Sequence, residues 1–263
     1  MSKQPLPNEK LYLYAIVSGL EGTSFGPIGL DGDTVYSMTS GRVSAVVSGV
    51  PEKLRPERRH LAAHHEVLKC LMAERDAVLP VAFGIVAEGR KALCQILSRN
   101  HKAVLETLRK VTRCVEMGLR VTWDVPNIFE YFVDTHPELH AARDRVFSGH
   151  REPSQDDKIE VGRLFDRLLG EDRETHAERV EEILAPHCVE IRRNTSRNER
   201  EAVNVACLVK RERQEEFEAA VFEAAQFFDN KYAFDYNGPW PPHNFVDIAL
   251  DFESRRAPAQ ALV

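Results

Sequence analysis

The sequence predicts an α+β fold in two domains. Three observations carry this. The first half reads β-β-β-α-β-α-β, without the strict β-α alternation that builds a parallel sheet. The second half again sets strands among long amphipathic helices. In VEMGLRVTW (115–123), Val115, Met117, Leu119, Val121 and Trp123 alternate with Glu116, Arg120 and Thr122. Such alternation marks an antiparallel strand with one buried face. The expected architecture is an N-terminal ferredoxin-like sheet with helices on one face over residues 1–125. A C-terminal, modified ferredoxin-like α+β domain with additional helices follows over residues 126–263.

The elements follow in chain order. MSKQPLPNE is polar and punctuated by proline, and reads as a loose start. LYLYAIV (11–17) is aromatic and β-branched, a strand composition. GLEGTSFGPIGLDGD (19–33) is glycine-rich and reads as a loop. TVYSM (34–38) and RVSAVVS (42–48) flank Ser40-Gly41, a hairpin turn. From Pro56 onward, Leu61, His64, His65, Leu68, Leu71 and Met72 recur at helical spacing. VLPVAFGIV (78–86) reads as one strand, with Pro80 near its start or at an edge. Leu93, Leu97, Val104, Leu108 and Val111 stripe a second helix.

Val125-Pro126 marks the domain boundary. NIFEYFVDTH and PELHAARDRVF read as short helices, and about 148–157 as a polar loop. A long charged helix covers about 158–184, with Gly170 a break in it and Pro186 ending it. HCVEIRR (187–193) and AVNVACLVK (202–210) read as strands. Phe217, Ala220, Val221, Ala224 and Phe228 stripe a last helix. DYNGPWPPHNFVDIAL (235–250) then reads as a turn at Asn237-Gly238-Pro239, two prolines, and a strand over Phe245–Leu250. The tail, about 252–263, is expected to be disordered.

Composition narrows the function. The chain has 263 residues and is 43% hydrophobic and 29% charged, as a globular protein is. Its formal net charge of −6 argues against nucleic acid or an anionic membrane as general partner. No apolar run is long enough to span a bilayer, and no secretory signal is visible. The five cysteines are widely spaced, without metal-ligand spacing, and read as reduced thiols in a cytoplasm.

Catalytic patterns are missing. His60 and His64 stand four apart on a helix, as metal ligands do, but no HExxH or third ligand accompanies them. Asp172 and His176 form another such pair, read as a solvated helix pair. The glycines of 19–33 match neither a dinucleotide nor a P-loop pattern, and no GxSxG is present. These readings imply no catalytic residue, no metal and no cofactor. Two alternatives to a binding protein remain. One is a small-molecule-binding regulator on a ferredoxin-like fold, the other an enzyme with a dispersed site.

Several segments in order resemble one family, the gas vesicle proteins GvpF and GvpL. They are YLYAIV (12–17), VSAVVSGVP (43–51), HHEVLKCLM (64–72) with VLPVAFG (78–84), GLRVTWD (118–124) and YNGPWPPHNFV (236–246). The chain departs from the family pattern LPxRFGT, with Ala82 at the arginine and Ile85 at the threonine position. His243 stands where tyrosine is frequent. The resemblance implies a cytoplasmic accessory protein associated with gas vesicles, without catalysis. It would bind the hydrophobic shell subunit GvpA, assist shell nucleation or assembly, and meet other accessory Gvp proteins. Pro80, Phe83, Gly84, Tyr236, Gly238 and Pro239 become structural motif residues. The PWPP knot reads as a structural clamp. A partner contact through Trp240, Pro241, Pro242 and Phe245 stands beside that reading.

Overall fold

The structure is a computed structural model that describes residues 9–20, 22–50, 54–147 and 154–248. The expected loose start falls largely, and the 252–263 tail wholly, outside these residues. The chain divides into two compact units. One takes the described residues up to Val115 and resumes at Trp240, and the other spans Glu116–Pro239.

The first unit holds β1 (Leu11–Ser18), β2 (Ser24–Gly26), β3 (Val35–Ser40), β4 (Val43–Gly49), α1 (Arg58–Glu74), β5 (Val78–Pro80), β6 (Val86–Ala87), α2 (Arg90–Arg99) and α3 (His101–Lys110). Its sheet runs β2-β3-β4-β1-β5, with β6 also pairing β1. The β3–β4 hairpin turns at Gly41, as the sequence predicts. Every side chain from Leu11 to Val17 is buried, so β1 is covered on both faces. On one face Tyr12, Tyr14 and Val17 join Val67, Leu68 and Leu71 of α1 in a single core.

Four local expectations change here. The glycine-rich loop contains β2 and a 3-10 turn over Leu30–Gly32. The single strand over 78–86 is two short strands flanking a turn. Gly84 takes φ 92°, a conformation open to glycine, so the chain leaves the ladder and returns. The Val81 N–H still donates to the Tyr14 carbonyl, and the Leu13 N–H to the Ile85 carbonyl. The helix over Leu93–Val111 is two helices. Asn100 separates them, its side-chain amide donating to the Ile96 carbonyl at 2.9 Å. Last, the strand expected at Phe245–Leu250 is a 3-10 turn at His243–Phe245 with no strand through Ile248, and residues 249–250 lie outside the described residues.

The second unit is built on β7 (Cys114–Trp123), which starts at the unit boundary. It adds α4 (Ile128–Thr135), α5 (Pro137–Phe147), α6 (Gln155–Leu184), β8 (Glu190–Arg193), β9 (Glu201–Lys210), α7 (Gln214–Ala225) and β10 (Tyr232–Trp240). The order is β-α-β-β-α-β with helices added at the first crossover, and the strands lie β10-β7-β9-β8. This is the split β-α-β pattern of ferredoxin-like folds. Trp123 is 1% exposed and meets Phe132 edge-on at 5.5 Å.

Helix α6 begins inside the expected polar loop, because Ser154 and Asp157 form a reciprocal capping box. It runs unbroken through Gly170, whose neighbours Phe165, Leu168 and Leu169 are buried. The expected turn at Asn237-Gly238-Pro239 belongs instead to strand β10. A side chain at Gly238 would meet the Glu116 carbonyl and Met117 Sδ, both at 2.9 Å. Glycine there lets β10 lie directly on β7, so the residue marks a close backbone approach and not a reversal.

Candidate functional site

The VLPVAFG and PPHNFV segments, far apart in sequence, meet in the first unit. Between them lies an apolar cavity of about 350 Å³. Ile16 of β1 and Leu79 of β5 are among its walls and are register partners in the sheet. Pro80, Val81, Ala82 and Ile85 supply the turn side, while Val246 and Ile248 supply the other. Among the described lining residues His243 is the one titratable group. Ala82 is exposed, so a methyl group stands at the cavity where a cationic side chain would change its character.

A buried polar chain holds the turn in place. The Gly84 N–H donates to the Tyr12 hydroxyl at 3.2 Å, and that hydroxyl lies 2.8 Å from His64 Nδ1. Tyr12 has one proton, and donating it to Nδ1 lets the hydroxyl keep both its bonds. His64 is therefore neutral, with its proton on Nε2. That proton faces the Val81 backbone outside strict hydrogen-bond geometry. Burial pushes the His64 pKa down to about 4, helped by the nearby His243 and His65. Burial likewise raises the Tyr12 phenol to about 12. Phe83 completes the cluster, 5.9 Å from the Tyr12 ring and 5.8 Å from the His64 ring. Phe83 and Gly84 thus anchor the turn inward, and Pro80 closes edge strand β5.

The PWPP residues divide. Pro241, Pro242 and Phe245 are buried, and the Lys110 ammonium lies 5.8 Å from the centre of the Phe245 ring. They fasten the returning segment. Trp240 is 40% exposed, and its ring lies 5.4 Å from that of His65. Of these four residues, Trp240 alone offers a large accessible surface. Tyr236 and Gly238 belong to β10, where the Tyr236 ring packs 6.1 Å from Phe217, and Pro239 follows Gly238 in that strand.

The histidine pairs do not form sites. His60 bonds Asp31 and the Arg55 carbonyl, whereas His64 bonds Tyr12. Asp172 faces His136 at 3.4 Å, while His176 bonds the Tyr232 hydroxyl at 2.9 Å. Among the described residues no group of three or more His, Cys, Asp or Glu is placed to hold a metal ion. No described helix is long and apolar enough to cross a membrane. The sequence reading passed over Tyr12 and Tyr14 as strand residues. Their signal was a pair of hydroxyl-bearing aromatics two apart, on the strand face that meets a histidine-bearing helix.

The fold and cavity define a two-unit α+β protein with an apolar cavity in its first unit. The family model for "Gas vesicle synthesis protein GvpL/GvpF" matches residues 10–247, and the chain belongs to that family. Gas vesicle protein F of a Streptomyces species is 28% identical, over 90% of this chain and 99% of its own length. Gas vesicle protein F2 of Halobacterium salinarum is 28% identical, over 92% of this chain and 94% of its own. The crystal structure of GvpF from Anabaena superposes with a TM-score of 0.78 at 24% identity, over 92% of this chain and 99% of that one. GvpF from Microcystis aeruginosa gives 0.76 at 22%, over 91% and 99%. These two structures share the fold.

Proposed function

We propose that this chain is a non-catalytic accessory factor that binds the hydrophobic gas vesicle shell subunit, GvpA, and assists nucleation or assembly of the shell. The observation that carries the reading is the cavity formed where two family segments converge. Its described lining is almost wholly apolar. Seating one large apolar side chain there contributes about 1.5–3 kcal/mol. A subunit with exposed apolar surface aggregates in water, and a partner that covers part of it suppresses that. Trp240, beside the chain that forms the cavity's second wall, supplies an amphipathic contact of the kind that anchors interfaces.

The volume also lies within the range of small-ligand pockets. Such pockets carry several convergent polar groups to orient the ligand, and among the described lining residues His243 is the single titratable candidate. The lining therefore supports a protein side chain over a polar metabolite. Among the described residues the lining brings together no acid, base and nucleophile, and a binding role fits it better than a catalytic one. Other accessory Gvp proteins are candidate further partners, and association with vesicles in the cytoplasm follows from the role. Co-expression with GvpA and affinity capture tests the reading. It predicts a complex and more soluble shell subunit; neither appearing would refute it.

A further inference from the structure

His60 sits at the start of α1 with 1% of its surface exposed. Its Nδ1 lies 2.9 Å from the Arg55 backbone carbonyl, and its Nε2 lies 3.1 Å from Asp31 Oδ1. Both neighbours are acceptors. A neutral imidazole has one N–H and can satisfy only one of them. With both ring nitrogens protonated, both bonds form.

Asp31 belongs to the glycine-rich connection between β2 and β3. It adopts φ 52° and ψ 25°, a left-handed conformation that aspartate and asparagine tolerate better than most residues. Its neighbour Leu30 is 1% exposed in the α1-facing core, and the Leu30 N–H donates to the Tyr14 hydroxyl at 2.9 Å. Among the described residues the charged groups around His60 are Asp31 from the connection, and Arg59 and Glu57 from the start of α1. Arg59 Nη1 reaches Asp31 Oδ1 at 2.9 Å, and Arg59 Nε reaches Glu57 Oε2 at 2.8 Å. Arg59 opposes a charge on His60, while Asp31 favours one.

We infer that the doubly protonated His60 imidazole is a pH-sensitive clasp that helps fasten the Leu30–Gly32 turn onto α1 and loosens it as the solution becomes alkaline, with the Arg59–Asp31 ion pair left in place. When His60 loses a proton, one nitrogen turns a bare lone pair toward a carbonyl or carboxylate in a covered site. One of the two bonds is lost: either the bond from His60 to Asp31 of the turn, or the bond from His60 to the Arg55 carbonyl on the chain entering α1. The Arg55 carbonyl first, and then Asp31, raise the His60 pKa against the opposing effect of burial.

The test is nitrogen-15 NMR of the imidazole across pH 5.5–9.5, with amide-exchange protection factors for residues 28–33. The expected result is a His60 pKa above the free value of about 6.5. Protection should fall by up to about tenfold per pH unit above it. Asp31→Asn keeps the tolerated backbone conformation and removes the charge, and it should lower both the pKa and the protection. His60→Gln should make the protection independent of pH over the same range, which decides the matter if the aspartate variant folds poorly. A neutral His60 at pH 6, or loop protection that does not follow its titration, overturns the clasp.

Discussion

His60 and His64, one turn apart on the buried side of α1, are pushed toward opposite charge states by their surroundings. His60 stands between two acceptors and favours the cation. His64 accepts from Tyr12 and favours the neutral ring. A helix periodicity that presents both to one side makes them resemble a metal pair. Their partners separate them, because one lies under a charged loop and the other in an aromatic core.

Acid should destabilise the first unit through His64. Its pKa is about 4 in the fold against 6.5 free. Below pH 6.5 the unfolded chain takes a proton that the folded one refuses, so stability falls as pH drops toward 4 and levels off below it. The full loss is about 3 kcal/mol. Urea unfolding at pH 7 and pH 4.5 checks this, with His64→Gln expected to flatten the histidine-dependent part of the difference.

Tyr12→Phe should cost about 1–3 kcal/mol, because it leaves the buried His64 Nδ1 without its partner and removes the acceptor of the Gly84 N–H. The Val81–Ile85 turn should also exchange its amides faster. A full stability and exchange profile equal to wild type would deny the polar chain its anchoring role.

Gly238→Ala should be severely destabilising. The added carbon meets the Glu116 carbonyl at 2.9 Å, and the residue's φ is 130°. Loss of about 2 kcal/mol or more is expected from backbone strain combined with the displaced strand. Thermal unfolding reads it directly.

Gly170→Ala should stabilise by about 1 kcal/mol, since the residue is an exposed interior position of α6 with open space around it. A melting temperature that stays level or falls would show that this glycine has a role beyond the helix.

Much of the fold was legible in the residues themselves. The clean alternation of β7, the stripe of α1 and the β3–β4 hairpin are local patterns, and local patterns survive folding. What failed depended on distant partners. Asn237-Gly238-Pro239 has the composition of a turn, but β7 lies alongside and recruits it as strand. VLPVAFGIV has the composition of one strand, but Gly84 lifts its middle out of the ladder. The cavity was invisible for the same reason. Ile16, Leu79 and Val246 are ordinary apolar residues until three segments bring them together.

The central claim is that the cavity in the first unit receives an apolar part of the shell subunit. Ala82→Asp places a carboxylate at the cavity from an exposed position, and so should spare the fold. The measurement is capture of co-expressed GvpA by wild type and by this variant, with melting temperatures measured in parallel. The account predicts robust capture by wild type, and at least about a tenfold loss for the variant, the cost of desolvating a charge in an apolar contact, at unchanged melting temperature. Equal capture by the two proteins would contradict it.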